Sequence, residues 1–256
     1  MKRALVLSGG GLFGAWQVGA WDVLRRHVDF DVIIGVSIGS LNGWAIAGGA
    51  TPAELAAKWL RAAETGRLRF RFPRHPLDGV VEFTQIEGFI RDIHASYQPR
   101  IEYYAVLTDL LRWRGSLVEG RHVQWRHLAA SCALLGLLPQ QRIGKVLYSD
   151  GGIISALPLW AASHCRATHV IGLNVAPRMP WPVRVFLKSA RALSHKPRKI
   201  PRENTFVLSP SRPLGGWREA CSFDRAHIAA WIGQGKEDAS AALERGNISF
   251  LECFEA

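Results

Sequence analysis

Apolar and polar positions follow two periods along the chain. Arg3 to Leu7 is a short apolar run that breaks at Gly9, Gly10 and Gly11, and the residues after it put Trp16, Ala20, Val23 and Leu24 on one helical face. This is the pattern of a strand, a tight turn and a helix. Asp31 to Val36 (DVIIGV) repeats it, with a turn at Ser37 and a helix of small residues to about Gly48. Two successive β-turn-α units predict a parallel sheet covered by helices. Further strands are predicted at Glu102 to Thr108, Lys145 to Tyr148, His169 to Val175 and Thr205 to Leu208. Helical segments at Arg126 to Leu135, Leu157 to Cys165 and Asp224 to Gln234 sustain the alternation.

No repeat, low-complexity tract or composition break interrupts the chain, so the expectation is one α/β domain over residues 1–256 with a mainly parallel central sheet. One stretch stands apart. Arg61 to Asp78 carries Arg61, Arg67, Arg69, Arg71 and Arg74 with two prolines, which suits a loop rather than a core element, and residues 61–100 are the expected place of a basic lid or insertion.

The 256 residues are 48% hydrophobic and 21% charged, enough to bury one sizeable core. Lys and Arg number 32 against 21 Asp and Glu, a net charge of +11 that favours anionic partners without choosing among nucleic acid, phospholipid head groups and acidic metabolites. Cys132, Cys165, Cys221 and Cys253 are far apart with no CxxC pair, which fits a reducing, cytoplasmic setting. The apolar run after Met1 ends at the glycines, too short for a signal-peptide core. The uncharged stretch from Val32 to Ala53 is broken by glycines and by Ser37, Ser40 and Asn42, so no membrane-spanning helix is expected there.

Gly9 to Gly14 reads GGGLFG, which fits the G-x-G-x-x-G of a dinucleotide cradle. That use also needs an acidic residue at the end of the second strand, and here Asp29 and Asp31 precede the strand while its far end delivers Gly35, Val36 and Ser37. Gly35 to Gly39 reads GVSIG between an apolar strand and a helix, the setting in which G-x-S-x-G exposes a nucleophilic serine on a sharp turn. Turns after neighbouring parallel strands share one sheet edge, so the amides of Gly10 and Gly11 can face Ser37 as donors to an oxyanion. Ser149 to Gly152 (SDGG) then offers Asp150 as a base, although Asp-Gly between apolar runs is also a common hairpin turn.

These three motifs, in this order and at these depths, resemble the patatin-like phospholipases. AASCALLGLLP before the aspartate and FDRAHIAAWIGQGKEDASAAL near the end are similar to the family's segments as well. The resemblance implies a three-layer α/β sandwich and a lipid acyl hydrolase that cleaves phospholipid or lysophospholipid esters with no metal or organic cofactor. It implies Ser37 as nucleophile, Asp150 as its base and the amides of Gly9, Gly10 and Gly11 as the oxyanion hole. Gly14, Gly35, Gly39, Gly151 and Gly152 support the motifs. Phe13, Val36 and Ile38 depart from the family pattern, where a basic residue and smaller or hydroxyl side chains are usual, and this bears on substrate preference.

A Ser-His-Asp triad with His164, His169 or His227 is the rival within enzymes, and a noncatalytic nucleotide- or lipid-binding module is the rival outside them. A zinc site at His164, Cys165 and His169 lacks a nearby acidic or fourth ligand. From Gly151 to Arg202 there is no Asp or Glu, and within the basic segment 178–202 Arg184, Lys188 and Arg191 share one helical face with Phe186 and Leu193 opposite. An anionic membrane surface and plain solvent are equally good partners for that face, which would make the cytoplasmic protein peripheral at the inner membrane. No nucleic-acid motif accompanies the charge.

Overall fold

The computed structural model describes residues 1–64, 69–75, 77–175, 181–193, 204–216, 218–221 and 223–246. Among these, the strands are β1 (Arg3–Leu7), β2 (Val32–Val36), β3 (Glu102–Asp109), β4 (Arg114–Glu119), β5 (Gln141–Ile143), β6 (Val146–Asp150), β7 (His169–Leu173) and β8 (Thr205–Leu208). The α-helices are α1 (Gly14–Leu24), α2 (Ile38–Ala47), α3 (Pro52–Glu64), α4 (Thr84–Ser96), α5 (Trp125–Cys132), α6 (Leu159–His164), α7 (Trp181–Leu193) and α8 (Arg225–Glu244).

All strands lie in one sheet of order β5-β6-β3-β2-β1-β7-β8, with β4 paired to β3 off this path. The run from β8 to β3 is parallel, and its central strands β1 and β2 are apolar on both faces because helices cover both. Leu5, Leu7 and Ile33 point into a large core shared with α1, α2 and α8. Their neighbours Ala4, Val6, Val32, Ile34 and Val36 pack with Ala161 and Ala162 of α6 on the opposite face. The result is the expected α/β sandwich of three layers with a mainly parallel sheet. The last described helix α8, nine residues longer than its apolar pattern suggested, lies on α1, where a Cβ at Gly235 would meet the Trp16 carbonyl.

Strand directions around β3 decide where the chemistry sits. Tyr104, Ala105 and Val106 of β3 pair with β2 and also with β4, so these two strands flank opposite edges of β3. Leu107 to Asp109 pair with β4 and also with β6, which puts β6 on the same edge as β2. Val36 is opposite Val106 and Asp150 is opposite Leu107. β2 therefore runs up one edge of β3, antiparallel β6 runs down it, and the two ends meet head to head.

Three expectations need correction. β4 and β5 were not anticipated, because RGSLVE and QRI carry no apolar alternation and become strands only by pairing. The helix predicted to Leu135 stops at Cys132, where the Ala133 carbonyl accepts from the Asp150 amide (3.0 Å), the Ser149 hydroxyl (2.9 Å) and the Gln140 side chain (3.1 Å). Residues 61–100 are not a lid as a whole: Arg61 belongs to the last turn of α3, and α4 buries Ile90 and Ile93 in the main core. Arg67, Arg178, Lys196, Arg198, Lys199, Arg202 and Cys253 lie outside the described residues.

Candidate active site

Val36 ends β2 and Ile38 begins α2, so Ser37 alone makes the turn, with φ 54° and ψ −131°. This is left-handed backbone space that a non-glycine residue enters at a penalty of about 1–3 kcal/mol. The turn is held from several sides. The Ser37 amide donates to Ser131 Oγ (2.8 Å), which itself donates to the Val106 carbonyl of β3 (2.8 Å), and the Ser37 carbonyl accepts from the Ser40 amide (2.8 Å) and hydroxyl (2.6 Å). A Cβ at Gly39 would stand 2.6 Å from the carbonyl oxygens of both Leu7 and Ser8, so only glycine lets α2 leave the turn so close to β1. Ser37 is the N-cap of α2, the end at which the helix dipole favours negative charge.

Asp150 closes β6 at the meeting point of the two strands and is 5% exposed. It does not form a hairpin turn. The chain enters a 3-10 turn at Gly151–Ile153, and Asp150 Oδ1 accepts the Gly152 amide at 2.6 Å. Burial pushes its carboxyl up to about 6, against hydrogen bonding from the Ser37 side chain and the Gly152 amide, which lower it. The structure thus brings the two predicted residues side by side. A group poised near 6 is ionised at neutral pH yet basic enough to take a proton from an attacking alcohol.

The glycine turn after β1 flanks the same spot: a Cβ at Gly9 would stand 3.0 Å from Ser37 Cβ and 3.7 Å from its Oγ. Its expected donor role is narrower than the resemblance implied. The Gly9 amide already donates to the Ala156 carbonyl (2.9 Å), which leaves Gly10 and Gly11, at the mouth of the 3-10 turn Gly11–Phe13, where first-turn amides have no intrahelical acceptor. A buried network fixes this turn to the serine turn. Gln17 of α1 donates to the Ser8 carbonyl (2.9 Å), Asn42 of α2 donates to Gly14 O (2.8 Å) and Gln17 Oε1 (3.0 Å), and Trp59 of α3 donates to Asn42 (2.9 Å). The features that a dinucleotide cradle needs are differently used here. A Cβ at Gly10 would stand 2.7 Å from the Val175 carbonyl, and Asp31 is tied to the Arg3 amide (2.7 Å) at the far end of the sheet.

No histidine is among the described partners of Ser37 or Asp150. His169 is opposite Arg3 at the other sheet edge, His164 packs edge-on to Tyr104, and His227 stacks on Trp231. Cys132 does lie beside Ser37 and Ser40, but burial and the Asp150 charge push its thiol far up, so it stays protonated and is no rival nucleophile. Phe13, which departs from the family pattern, is core: it is buried edge-on against Trp231, with ring centroids 5.0 Å apart.

Ser131 is the residue that motif reading missed. It is fully buried and serves both as acceptor for the Ser37 turn and as donor to β3. Ser131→Ala is expected to leave two buried backbone groups unpaired, at about 1–3 kcal/mol of stability, and to displace Ser37. Thermal melting and steady-state kinetics on a soluble ester check this: kcat falls about 10- to 100-fold while KM changes little. A loss confined to stability would limit Ser131 to the scaffold.

The description of the patatin-like phospholipase domain matches residues 5–163, from β1 into α6. The chain belongs to the patatin-like phospholipase family. Lysophospholipase NTE1 of Mycosarcoma maydis is 29% identical over 185 residues, which cover 68% of this chain and 10% of that protein. An uncharacterized NTE family protein of Mycobacterium bovis is 28% identical over 188 residues, 72% of this chain and 51% of that protein. This patatin-like domain therefore spans between a tenth and a half of the length of these relatives. Among solved structures, VipD from Legionella pneumophila shares the fold at a TM-score of 0.53 and 10% identity, over 95% of this chain and 67% of that one.

In this patatin-like domain α7 abuts the aspartate turn. Leu187, half-way along α7, is buried against Ile153 and Ile154 with Trp113, Leu134 and Leu135 around them. Arg184 and Lys188 are exposed, as expected of the basic face, whereas the side chains of Phe186 and Arg191 lie outside the described residues. No described helix is long and apolar enough to cross a membrane.

Proposed function

We propose that this patatin-like domain is a lipid acyl hydrolase of phospholipase A or lysophospholipase type, working through a serine acyl-enzyme. The observation that carries the proposal is the serine in a left-handed turn beside a buried carboxyl raised to about 6, at the meeting of β2 and β6. The names of the relatives point to the same chemistry, since Mycosarcoma maydis NTE1 is a lysophospholipase.

Ser37 Oγ attacks the ester carbonyl as its proton passes to Asp150, and the oxyanion is met by the Gly10 and Gly11 amides and the α2 N-terminus. Collapse breaks the ester C–O bond, and the departing alkoxide takes the proton from Asp150. Water then attacks the acyl carbon, gives its proton to Asp150 and releases the fatty acid, and the proton returns to Ser37.

A fluorophosphonate probe is expected to label one site, Ser37, and fatty acid is expected to be released from a panel of phosphatidylcholine and lysophosphatidylcholine species. Labelling elsewhere in the chain, or a panel left intact by well-folded protein, would reject the assignment.

A further inference from the structure

α2 runs from Ser37 to the far edge of the sheet, where the Ala47 carbonyl accepts the Arg100 amide before β3 and His94 of α4 stacks on Trp44 at 4.9 Å, while the other end of α3 is tied through Glu64 to Arg225 at the start of α8 (2.6 Å). The described residues of the connection between α3 and α4, 69–75 and 77–83, are tied to the loop that follows α5 and leads to Asp150, which puts them at the catalytic rim. The first of them read Arg69-Phe70-Arg71-Phe72, a strict alternation of cation and aromatic. The segment is anchored: the Arg71 amide donates to Val80 O (2.8 Å), the Glu82 amide to Arg69 O (2.8 Å), and Phe70 bridges Val81. The Val80 and Val81 amides in turn donate to Gly136 O (3.2 Å) and Leu137 O (3.0 Å), on the loop whose Ala133 carbonyl accepts the Asp150 amide. On this tethered backbone Phe70 is 71% exposed and Phe72 is 99% exposed.

Two other elements of the rim do the same. Leu111 is exposed at the tip of the β3–β4 hairpin, just beyond the stretch of β3 that pairs with β6. On α7, Trp181 is 69% exposed and Val185 is also exposed, while Leu187 holds the helix against the aspartate turn. Cations accompany these side chains: Arg69, Arg71 and Arg74 on the strap, and Arg184 and Lys188 on α7, in a stretch with no acidic residue from Gly151 to Arg202.

We propose that Phe70 and Phe72 of the strap, with Leu111, Trp181 and Val185, insert into the surface of an anionic bilayer and seat the Ser37–Asp150 rim on it. This rests on the lipid-hydrolase reading and names the surface that delivers the substrate. Apolar side chains on three separate elements, two of them fringed by cations, suit a fluid interface with anionic head groups. A second copy of the chain would instead bring like charges together.

The test uses full-length protein carrying Ser37→Ala, so that lipid is not consumed, and vesicles of phosphatidylcholine with phosphatidylglycerol. Adding Phe70→Ser and Phe72→Ser is expected to lower partitioning by about 100-fold, roughly tenfold per phenylalanine. Leucine at both positions restores it, and salt weakens it. In the enzyme with Ser37 intact, the double serine variant turns over a soluble short-chain ester within about twofold of the parent, since neither phenylalanine belongs to the dyad. Unchanged partitioning, or sedimentation without vesicles, overturns the proposal. Phenylalanine-dependent vesicle binding by a protein inactive on every ester upholds the rim and rejects the hydrolase.

Discussion

Ser37→Ala is expected to lower kcat on a soluble ester by about 10⁴- to 10⁶-fold, because removing a nucleophile that works as a unit with its base leaves only binding and oxyanion stabilisation. The protein stays folded. The turn is held through the Ser37 amide and carbonyl, which alanine retains. Ser37→Gly separates the two roles of the position. Glycine enters φ 54° without steric strain, so this variant is equally inactive yet more stable by about 1 kcal/mol. Paired kinetics and chemical denaturation read both quantities. Residual turnover above about one per cent in either variant would move the nucleophile elsewhere.

The position of Ser37 was legible because its signal is local. A glycine on each side of a serine, between an apolar strand and a helix, specifies a sharp turn whatever surrounds it. The meeting with Asp150 was legible for a different reason than the one that holds. Sequence reasoning put both residues on one edge of a parallel sheet, whereas β6 is antiparallel and reaches Ser37 end-on along β3. Nothing in KVLYSD sets the direction of that strand; pairing with Leu107 to Asp109 does. Ser131 lay inside the AASCALLGLLP segment singled out for its resemblance, but nothing marked its role, since a buried serine whose hydroxyl bridges two backbone groups looks like any small residue of a helix. The Gly9 amide is a similar case, because its acceptor, Ala156, is distant in sequence. The α4 helix was visible in principle through Ile86, Ile90 and Ile93, but the arginine-rich run before it drew residues 61–100 into a single loop.

Asp150→Asn carries the second large effect, and it separates catalysis from stability. As the base, Asp150 is expected to contribute about 10²- to 10⁴-fold to turnover, which asparagine cannot supply. Stability moves the other way. The folded carboxyl is raised from 3.8 to about 6, so the native state holds the proton more tightly than the unfolded chain. The resulting stabilisation is complete below about pH 4 and is lost as pH rises through about 6, where a charge must be kept buried; the difference is roughly 3 kcal/mol. Asparagine is neutral throughout and its Oδ1 can still accept the Gly152 amide. The variant is therefore expected to melt above the parent at pH 7 to 8 and level with it near pH 4. The parent's kcat/KM on a soluble ester should rise with pH to a plateau above about 6 as the base ionises. Its neighbour Cys132, held protonated, adds no second limb in that range. An asparagine variant that keeps near-parental turnover and melts lower at pH 7 would reduce Asp150 to the cap of its 3-10 turn.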